Sequence, residues 1–182
     1  MRAAIRALCA AAALALAACA QMQFVLPLQD LDFELSGRIA MQYRDDAGTG
    51  NIAWRHGPRS DEMLLSTPIG QGIARIVREG ELITLTAQDG REYRAADAET
   101  LTEQVLGFRL PLLGLADWVR GRAAPAPAPA PASERRDGEG RLLELEQSGW
   151  RIEYLAYNLD RPMRLRVRYP GLELRIAISE WK

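Results

Sequence analysis

From Asp32 onwards, apolar and polar residues alternate along most of the chain. In the first run, which extends to Tyr43, residues such as Phe33, Leu35 and Ile39 take alternate positions with mostly polar residues between them. A period of two is typical of a β-strand with one apolar face. Turn residues separate the runs at the short intervals of an antiparallel meander. We predict ten or eleven strands, the clearest being 33–43, 51–56 (after a turn at 45–48), 63–67, 72–78, 82–87, 92–94, 142–147, 150–157, 163–169 and 172–179.

The spacing of apolar residues changes from that of a strand to that of a helix after the sixth of these strands. Two stretches there repeat apolar residues, among them Leu101 and Trp118, at the spacing of amphipathic helices. The first of them begins with acidic residues, which favour a helix N-terminus. We therefore predict one mostly β domain, residues 32–182, with a small α insertion at about 97–121.

A low-complexity segment follows the predicted helices. Residues 123–132 alternate alanine with proline, and residues 133–140 are mostly charged. Alternating proline blocks both helix and sheet hydrogen bonds, so we predict polyproline II or irregular structure in a loop covering about 122–140. As an exposed spacer it would bury almost nothing. Deleting Ala124–Pro131 should then change thermal stability little.

The first eighteen residues are typical of an export signal. Two arginines precede a run of alanine and leucine that is too short to span a bilayer. The run ends in Leu16-Ala17-Ala18-Cys19, which resembles a bacterial lipobox, in which the cysteine is lipidated and becomes the mature N-terminus. An ordinary signal peptide cut after Ala17 is the alternative, and it leaves Cys19 as a free thiol.

The segment after Cys19 is predicted to be a tether, residues 19–31. It has no clear period and contains a proline. Twelve extended residues reach about 40 Å, so a folded body could stand off a membrane while its lipid remains inserted. The second mature residue is Ala20 rather than aspartate, which in the lipoprotein sorting rule implies retention at the outer membrane.

The residue inventory excludes several kinds of chemistry. Among 182 residues there is one lysine, Lys182, and one histidine, His56, with a formal net charge of −1. No Walker A loop, catalytic internal lysine or four-ligand zinc site of the usual kinds can be built, and no Gly-x-Ser-x-Gly elbow is present. The near-neutral charge gives no argument for nucleic acid. We predict a protein that is not an enzyme, without cofactor or metal, in which His56 is an ordinary surface or strand-end residue.

Two groups of residues allow more than one interpretation. The arginines at 161, 164, 166 and 168 include three on one solvent face of a strand, where charge discourages edge aggregation; contact with lipid headgroups or a partner is the alternative. Trp54 and Trp118 fall on predicted apolar faces. They could fill a core or line an apolar cavity, and the pattern does not separate the two.

One loop breaks the local rules. Ile69 stands between Pro68 and Gly70, both turn residues, at the predicted tip of the loop between the third and fourth strands. A hydrophobic residue there has few positions from which it can reach a core. It either folds back or projects into solvent.

Several motifs, taken together in their order and spacing, resemble the LolB family of outer-membrane lipoproteins. Each motif alone is weak, but together they span nearly the whole mature chain. The matching segments are LAAC at 16–19, FELSGRIA at 33–40, NIAW at 51–54, LLSTPIGQ at 64–71, ADAE at 96–99, LP at 110–111, LADWVRG at 115–121 and GWRI at 149–152.

The resemblance implies an incomplete, unclosed antiparallel β-barrel covered by a lid of the two short helices, with an apolar cavity for acyl chains. It also implies a protruding loop, here Pro68, Ile69 and Gly70, whose exposed apolar residue serves membrane insertion of cargo. The Ala-Pro segment departs from the family pattern. Candidate cavity residues are Leu35, Ile39, Trp54, Leu65, Leu101, Val105, Leu115 and Trp118.

The function implied is that of a monomeric lipoprotein anchored through Cys19 at the periplasmic face of the outer membrane. It would accept lipoproteins from a LolA-like periplasmic carrier, hold their acyl chains, and insert them without nucleotide hydrolysis. Three alternatives remain open. They are an envelope scaffold lipoprotein with a filled core, a soluble lipid or lipoprotein carrier of the same fold, and a periplasmic hydrolase, which lacks an evident nucleophile and base.

Overall fold

The computed structural model describes residues 30–106, 109–126 and 128–182. The predicted signal segment, Cys19 and all but the last two tether residues lie outside these residues. Eleven strands form one antiparallel sheet that is not closed, and two short helices interrupt it, as predicted. The elements are β1 Phe33–Tyr43, β2 Asp46–His56, β3 Ser60–Ser66, β4 Gly72–Glu79, β5 Leu82–Ala87, β6 Glu92–Ala95, α1 Ala98–Leu106, α2 Leu112–Trp118, β7 Ser133–Arg136, β8 Leu142–Gln147, β9 Trp150–Asn158, β10 Arg161–Tyr169 and β11 Leu172–Trp181.

The sheet consists of two meanders that meet in its middle. Its strand order is β6-β5-β4-β3-β2-β1-β11-β10-β9-β8-β7, so the first and last strands pair with each other. We call the end at which β1 begins, at Phe33, the proximal end, and the end at which β1 finishes, at Tyr43, the distal end. Because neighbouring strands alternate in direction, the β3–β4 loop points towards the distal end, from a β3 that finishes level with Arg38 of β1, and the β9–β10 hairpin lies at the proximal end.

The apolar face of the sheet, here called the inner face, and the two helices share one hydrophobic cluster. The alternation seen in the sequence places every second residue of the strands on this face. An eleven-stranded sheet can share a single core only if it bends around the helices. Residues that contribute to this cluster from widely separated elements include Leu35, Ile52, Ile76, Leu85, Leu101, Trp118, Ile152, Val167 and Ile176.

Two local predictions were wrong. The first turn is not at 45–48, because β2 begins at Asp46 and pairs Gly48 with Met41. The chain reverses at Arg44 and Asp45 instead, with Arg44 at a φ of 54°. The sequence analysis predicts a loop at the residues that form strand β7 in the structure. Its four residues are all exposed, so no face is buried and no apolar period marks the strand.

The predicted start of the helical insertion is confirmed. The Asp97 carboxylate accepts a hydrogen bond from the backbone N–H of Thr100 at 2.7 Å, which caps α1. The hydroxyl of Thr102 in turn accepts from the backbone N–H of Leu110 at 2.8 Å, so the segment after α1 is tied back to it. Within the described part of the chain, neither helix combines the length and apolarity that crossing a bilayer requires.

The Ala-Pro segment is held more firmly than an exposed spacer would be. Gln147, buried on β8, donates its amide N–H groups to the carbonyl oxygens of Ala124 and Pro129, both at 2.8 Å. Its amide oxygen accepts from the backbone N–H of Ala124 at 2.8 Å. The prediction of a free spacer was therefore wrong for this part of the loop, because a buried side chain depends on it.

Candidate functional site

The eight predicted cavity residues converge on the inner face. Five of them, listed last, are at most 2% exposed, whereas Ile39, Leu65 and Val105 are half-buried at the border of the same cluster. That these residues line a ligand cavity remains a prediction. The five closely packed side chains are Leu35, Trp54, Leu101, Leu115 and Trp118.

The inner face is covered unevenly from one end to the other. On β1, Phe33 and Leu35 at the proximal end are buried, whereas the next apolar inward residues, Ile39, Met41 and Tyr43, are only half-buried. Strands β3, β5 and β6 of the same meander continue this trend, whereas Leu172 and Leu174 of β11, which pair with Tyr43 and Met41, are buried. We call the half-buried group the distal rim; it consists of Ile39, Met41, Tyr43, Leu65, Ala87 and Tyr93.

The β3–β4 loop at the distal end presents Ile69 to solvent. The Ile69 side chain is 82% exposed. A three-residue tip is closed by hydrogen bonds from the Thr67 N–H to the Gln71 carbonyl at 2.8 Å and from the Gly70 N–H to the Thr67 carbonyl at 2.9 Å. Gly70 adopts a φ of 88°, which favours glycine. The turn is therefore well defined, and it holds an apolar side chain away from the core.

The second helix is fixed to the sheet by its tryptophan. The Trp118 indole N–H donates to the Gln147 amide oxygen at 2.9 Å, and the Tyr154 hydroxyl donates to the Trp118 carbonyl at 2.9 Å. The rings of Trp118 and Trp150 lie 5.9 Å apart. Burial raises the pKa of Tyr154 far above its ordinary value, so its hydroxyl stays protonated as a donor. Trp118 therefore packs in the core and also fixes α2, which covers the inner face, to the sheet.

A buried polar cluster closes the proximal end. Asp61 accepts hydrogen bonds from the Trp54 indole at 2.9 Å and the Arg78 guanidinium at 2.5 Å, and it contacts His56 Nδ1 at 2.6 Å. Burial alone would raise the pKa of Asp61, but the hydrogen bonds and the charges of His56 and Arg78 outweigh it and hold the pKa below 3.8. Asp61 and Arg78 were missed at the sequence level, because only the register of three strands brings them together.

His56 is at a strand end as predicted, but it is buried rather than on the surface. Its second ring nitrogen, Nε2, lies 3.7 Å from the Asp32 carboxylate, and Phe33 stacks on the ring. Both nitrogens thus face carboxylates, an arrangement that fixes a structural histidine rather than activating a nucleophile. The described residues contain no group of three acidic, histidine or cysteine side chains that could hold a metal.

The comparisons with known proteins identify the family. The family model described as outer membrane lipoprotein LolB matches residues 31–181. Outer-membrane lipoprotein LolB of Thiobacillus denitrificans is 39% identical over 163 residues, 89% of this chain and 86% of that protein. Its counterpart from Chromobacterium violaceum is 34% identical over 179 residues, 93% and 94% of the two chains.

A solved structure agrees at the level of the fold. A LolA superfamily protein from Nitrosomonas europaea matches with a TM-score of 0.50 at 12% identity, covering 86% of this chain and 87% of the other. This supports the unclosed sheet with its two helices. From the sequence matches, the chain belongs to the LolB family of outer-membrane lipoproteins, as its motifs indicated.

Proposed function

We propose that this protein receives lipoproteins from a periplasmic carrier and inserts them into the outer membrane. Acyl chains of the cargo enter the inner face of the sheet at the distal rim. They leave from the same end into the bilayer, without nucleotide hydrolysis. The protein itself is held at the periplasmic face of the outer membrane by lipid on Cys19.

The observation that carries this proposal is the uneven cover of the inner face. Apolar side chains at the distal rim keep partial access to solvent, while Phe33 and Leu35 at the proximal end of the same strand are buried beside the Asp61 cluster. An acyl chain inserted at the rim would meet a continuous apolar surface. At about 0.8 kcal/mol per methylene, three long chains cost on the order of 30 kcal/mol to expose to water, so cargo requires such cover in transit.

The direction of transfer follows from the fact that this protein covers acyl chains less completely than a bilayer does. A bilayer shields acyl chains on all sides, whereas an unclosed sheet with two short helices shields them in part. Transfer from protein to membrane is therefore downhill. Ile69, on the same distal end, provides an apolar contact with the bilayer at the point of release.

The test is insertion of a purified carrier–lipoprotein cargo into liposomes by Ile69→Glu, Ile69→Leu and the parental protein. Burying an isoleucine contributes about 1.5–3 kcal/mol, so we expect Ile69→Glu to slow insertion by about tenfold or more. Its thermal stability and its acceptance of cargo should stay close to parental, because the side chain lies outside the core. Ile69→Leu should be nearly neutral for both steps.

Leu159 offers a matched control. It is 83% exposed at the tip of the β9–β10 hairpin, at the proximal end. Leu159→Glu changes charge and surface hydrophobicity in the same way as Ile69→Glu, and it should insert cargo at the parental rate. Equal slowing by both variants, or parental insertion by Ile69→Glu, would overturn the role of the β3–β4 loop.

The tight packing of Trp54 and Trp118 favours a second candidate, an envelope scaffold lipoprotein whose core is filled. An apolar fluorescent probe separates the two candidates. Saturable binding that competes with cargo supports the transfer function, whereas the lack of a saturable site would favour the scaffold.

A further inference from the structure

The outer face of the sheet is rich in arginines, and most of them are neutralised. Arg75 lies 2.7 Å from Glu62, Arg166 lies 3.1 Å from Glu153, and Arg168 pairs with the same carboxylate. Two outward arginines differ from these. Among the described residues, Arg38 on β1 and Arg164 on β10 have neither an ion pair nor a side-chain hydrogen bond, and both are exposed. Their charges are therefore available to a ligand.

The strand register places these two arginines side by side. Arg38 pairs with Ala177 of β11, and Ala177 pairs with Arg164. Residues paired across a sheet point to the same face, and two strand spacings separate the two Cα atoms by about 10 Å. The exposed methyl of Ala177 leaves room between the guanidinium groups.

A depression adjoins Arg38 on the same face, and its lining combines polar residues with apolar ones such as Ile52 and Leu64. It has a volume of about 370 Å³, and Ser36, Ser66 and Ser179 contribute hydroxyl groups to its lining. Ser179 lies within the interval where the β1–β11 register shifts, so this irregularity adds one of the hydroxyls. At its other side the depression reaches Gly70, the neighbour of Ile69.

We propose that Arg38, Arg164 and this depression bind the phosphate of an anionic phospholipid headgroup. Guanidinium groups and hydroxyls are the donors that phosphate oxygens favour. This proposal rests on the proposed function, and it extends that function by defining how the protein is oriented on the membrane. With the outer face of β1, β11 and β10 against the headgroups, Ile69 reaches the apolar layer from the adjoining loop.

The experiment measures binding of the mature chain, with Cys19→Ala to remove the lipid, to vesicles by co-sedimentation. Vesicles of phosphatidylcholine alone are compared with vesicles that also contain phosphatidylglycerol. Near an anionic surface each arginine contributes roughly fivefold in affinity, so the double variant Arg38→Gln/Arg164→Gln should lose about 25-fold on the anionic vesicles. On phosphatidylcholine alone it should bind like its parent.

The matched control removes the same charge from the same face. Arg166 and Arg175 are both paired with glutamates, at 3.1 and 2.5 Å, so Arg166→Gln/Arg175→Gln should lose several-fold less than the first double variant. Equal losses would mean that net charge alone governs binding, and they would overturn the site. Unchanged vesicle binding with lost carrier binding would also overturn it, since the face would then dock a protein.

Failure of the site and failure of the proposed function give different results. If the headgroup site is wrong, the two arginine double variants behave alike while Ile69→Glu still slows insertion of cargo. If the transfer function is wrong, Ile69→Glu inserts at the parental rate while the arginine pair still governs binding to anionic vesicles.

Discussion

Asp61 is a carboxylate with almost no access to water. It is 4% exposed, and three side chains from β2 and β4, namely Trp54, His56 and Arg78, direct nitrogen atoms at it. A buried charge is tolerated only when it is paired and hydrogen-bonded, as this one is. The cluster joins three strands at the proximal end and closes the core there.

Acid should weaken this cluster in a defined direction. The pKa of Asp61 is lower in the folded protein than its ordinary value of 3.8, so the folded state binds its proton less readily than the unfolded state. The stabilisation is complete above about pH 3.8 and is lost as the pH falls through the lower, folded pKa. Urea unfolding between pH 2 and pH 7 would measure this loss, and the pH dependence should be smaller in Asp61→Asn.

At neutral pH, Asp61→Asn should itself lower the free energy of unfolding by roughly 3–5 kcal/mol, because it leaves Arg78 buried without its counter-ion. Asp89→Asn is the control. Asp89 also pairs with an arginine, Arg91, but both side chains are exposed, so its loss should change the unfolding free energy little. A small effect of Asp61→Asn would mean that water reaches Arg78.

Among the elements, the Ala-Pro segment owes its position to one side chain of β8. Gln147 is 1% exposed, and its side chain makes four hydrogen bonds, all of them to α2 and the loop that follows it. Three join it to Ala124 and Pro129, and the fourth joins it to Trp118 of α2. Gln147 therefore holds both α2 and the loop that follows it against the sheet.

Gln147→Leu should lower the free energy of unfolding by at least about 2 kcal/mol. Leucine has a similar size, but it leaves the buried Trp118 indole N–H and the half-buried Ala124 backbone groups without these partners, at about 1–3 kcal/mol for a buried unsatisfied group. Urea denaturation would measure the change. Gln42→Leu is the control, because Gln42 is exposed on the outward side of β1.

The same contacts reverse our sequence-based expectation for the deletion of Ala124–Pro131. The deletion removes both loop partners of Gln147 and should lower the melting temperature by about as much as Gln147→Leu does. A melting temperature that stays at the parental value in both variants would mean that water replaces these hydrogen bonds.

For the whole molecule, the pairing of β1 with β11 joins the two meanders. Gly37 lies at the register shift of this junction. A Cβ atom built on Gly37 would approach the Ala177 carbonyl oxygen to 2.2 Å, and backbone atoms cannot move aside cheaply. The absence of a side chain at residue 37 therefore allows the two halves of the sheet to meet.

Gly37→Ala should destabilise the protein by about 1–3 kcal/mol or more, since it forces β1 away from β11. Gly48→Ala provides the matched control on β2, where an added Cβ meets nothing within 4 Å. Its stability should be unchanged or slightly higher. Thermal and urea unfolding of both variants would test this, and equal stabilities would contradict a close junction.

Patterns along one strand were predictable from the sequence, and contacts between strands were not. The period of two identified β1 and the inward residues of β11, such as Ile176, because one buried face requires that period. It could not identify β7, which buries no face, or the Asp61 cluster, which depends on register. Ile69 was identifiable from the sequence because an apolar residue is unusual between two turn residues, here Pro68 and Gly70. Of the two interpretations of Trp118, core packing is confirmed by its burial, whereas the lining of an apolar cavity stays a prediction.

The junction between the first and last strands has a consequence for the order of folding. Synthesis makes the N-terminal meander first, and β1 then presents an unpaired edge until β11, the last of the described strands, is available. Among the described strands this pairing joins the residues farthest apart in sequence, so it is among the slowest contacts to form. At high concentration the unpaired edge of β1 is also open to β11 of another copy. We therefore expect refolding at high concentration to yield a domain-swapped dimer, in which each chain completes the sheet of the other, as a fraction that size-exclusion chromatography would measure.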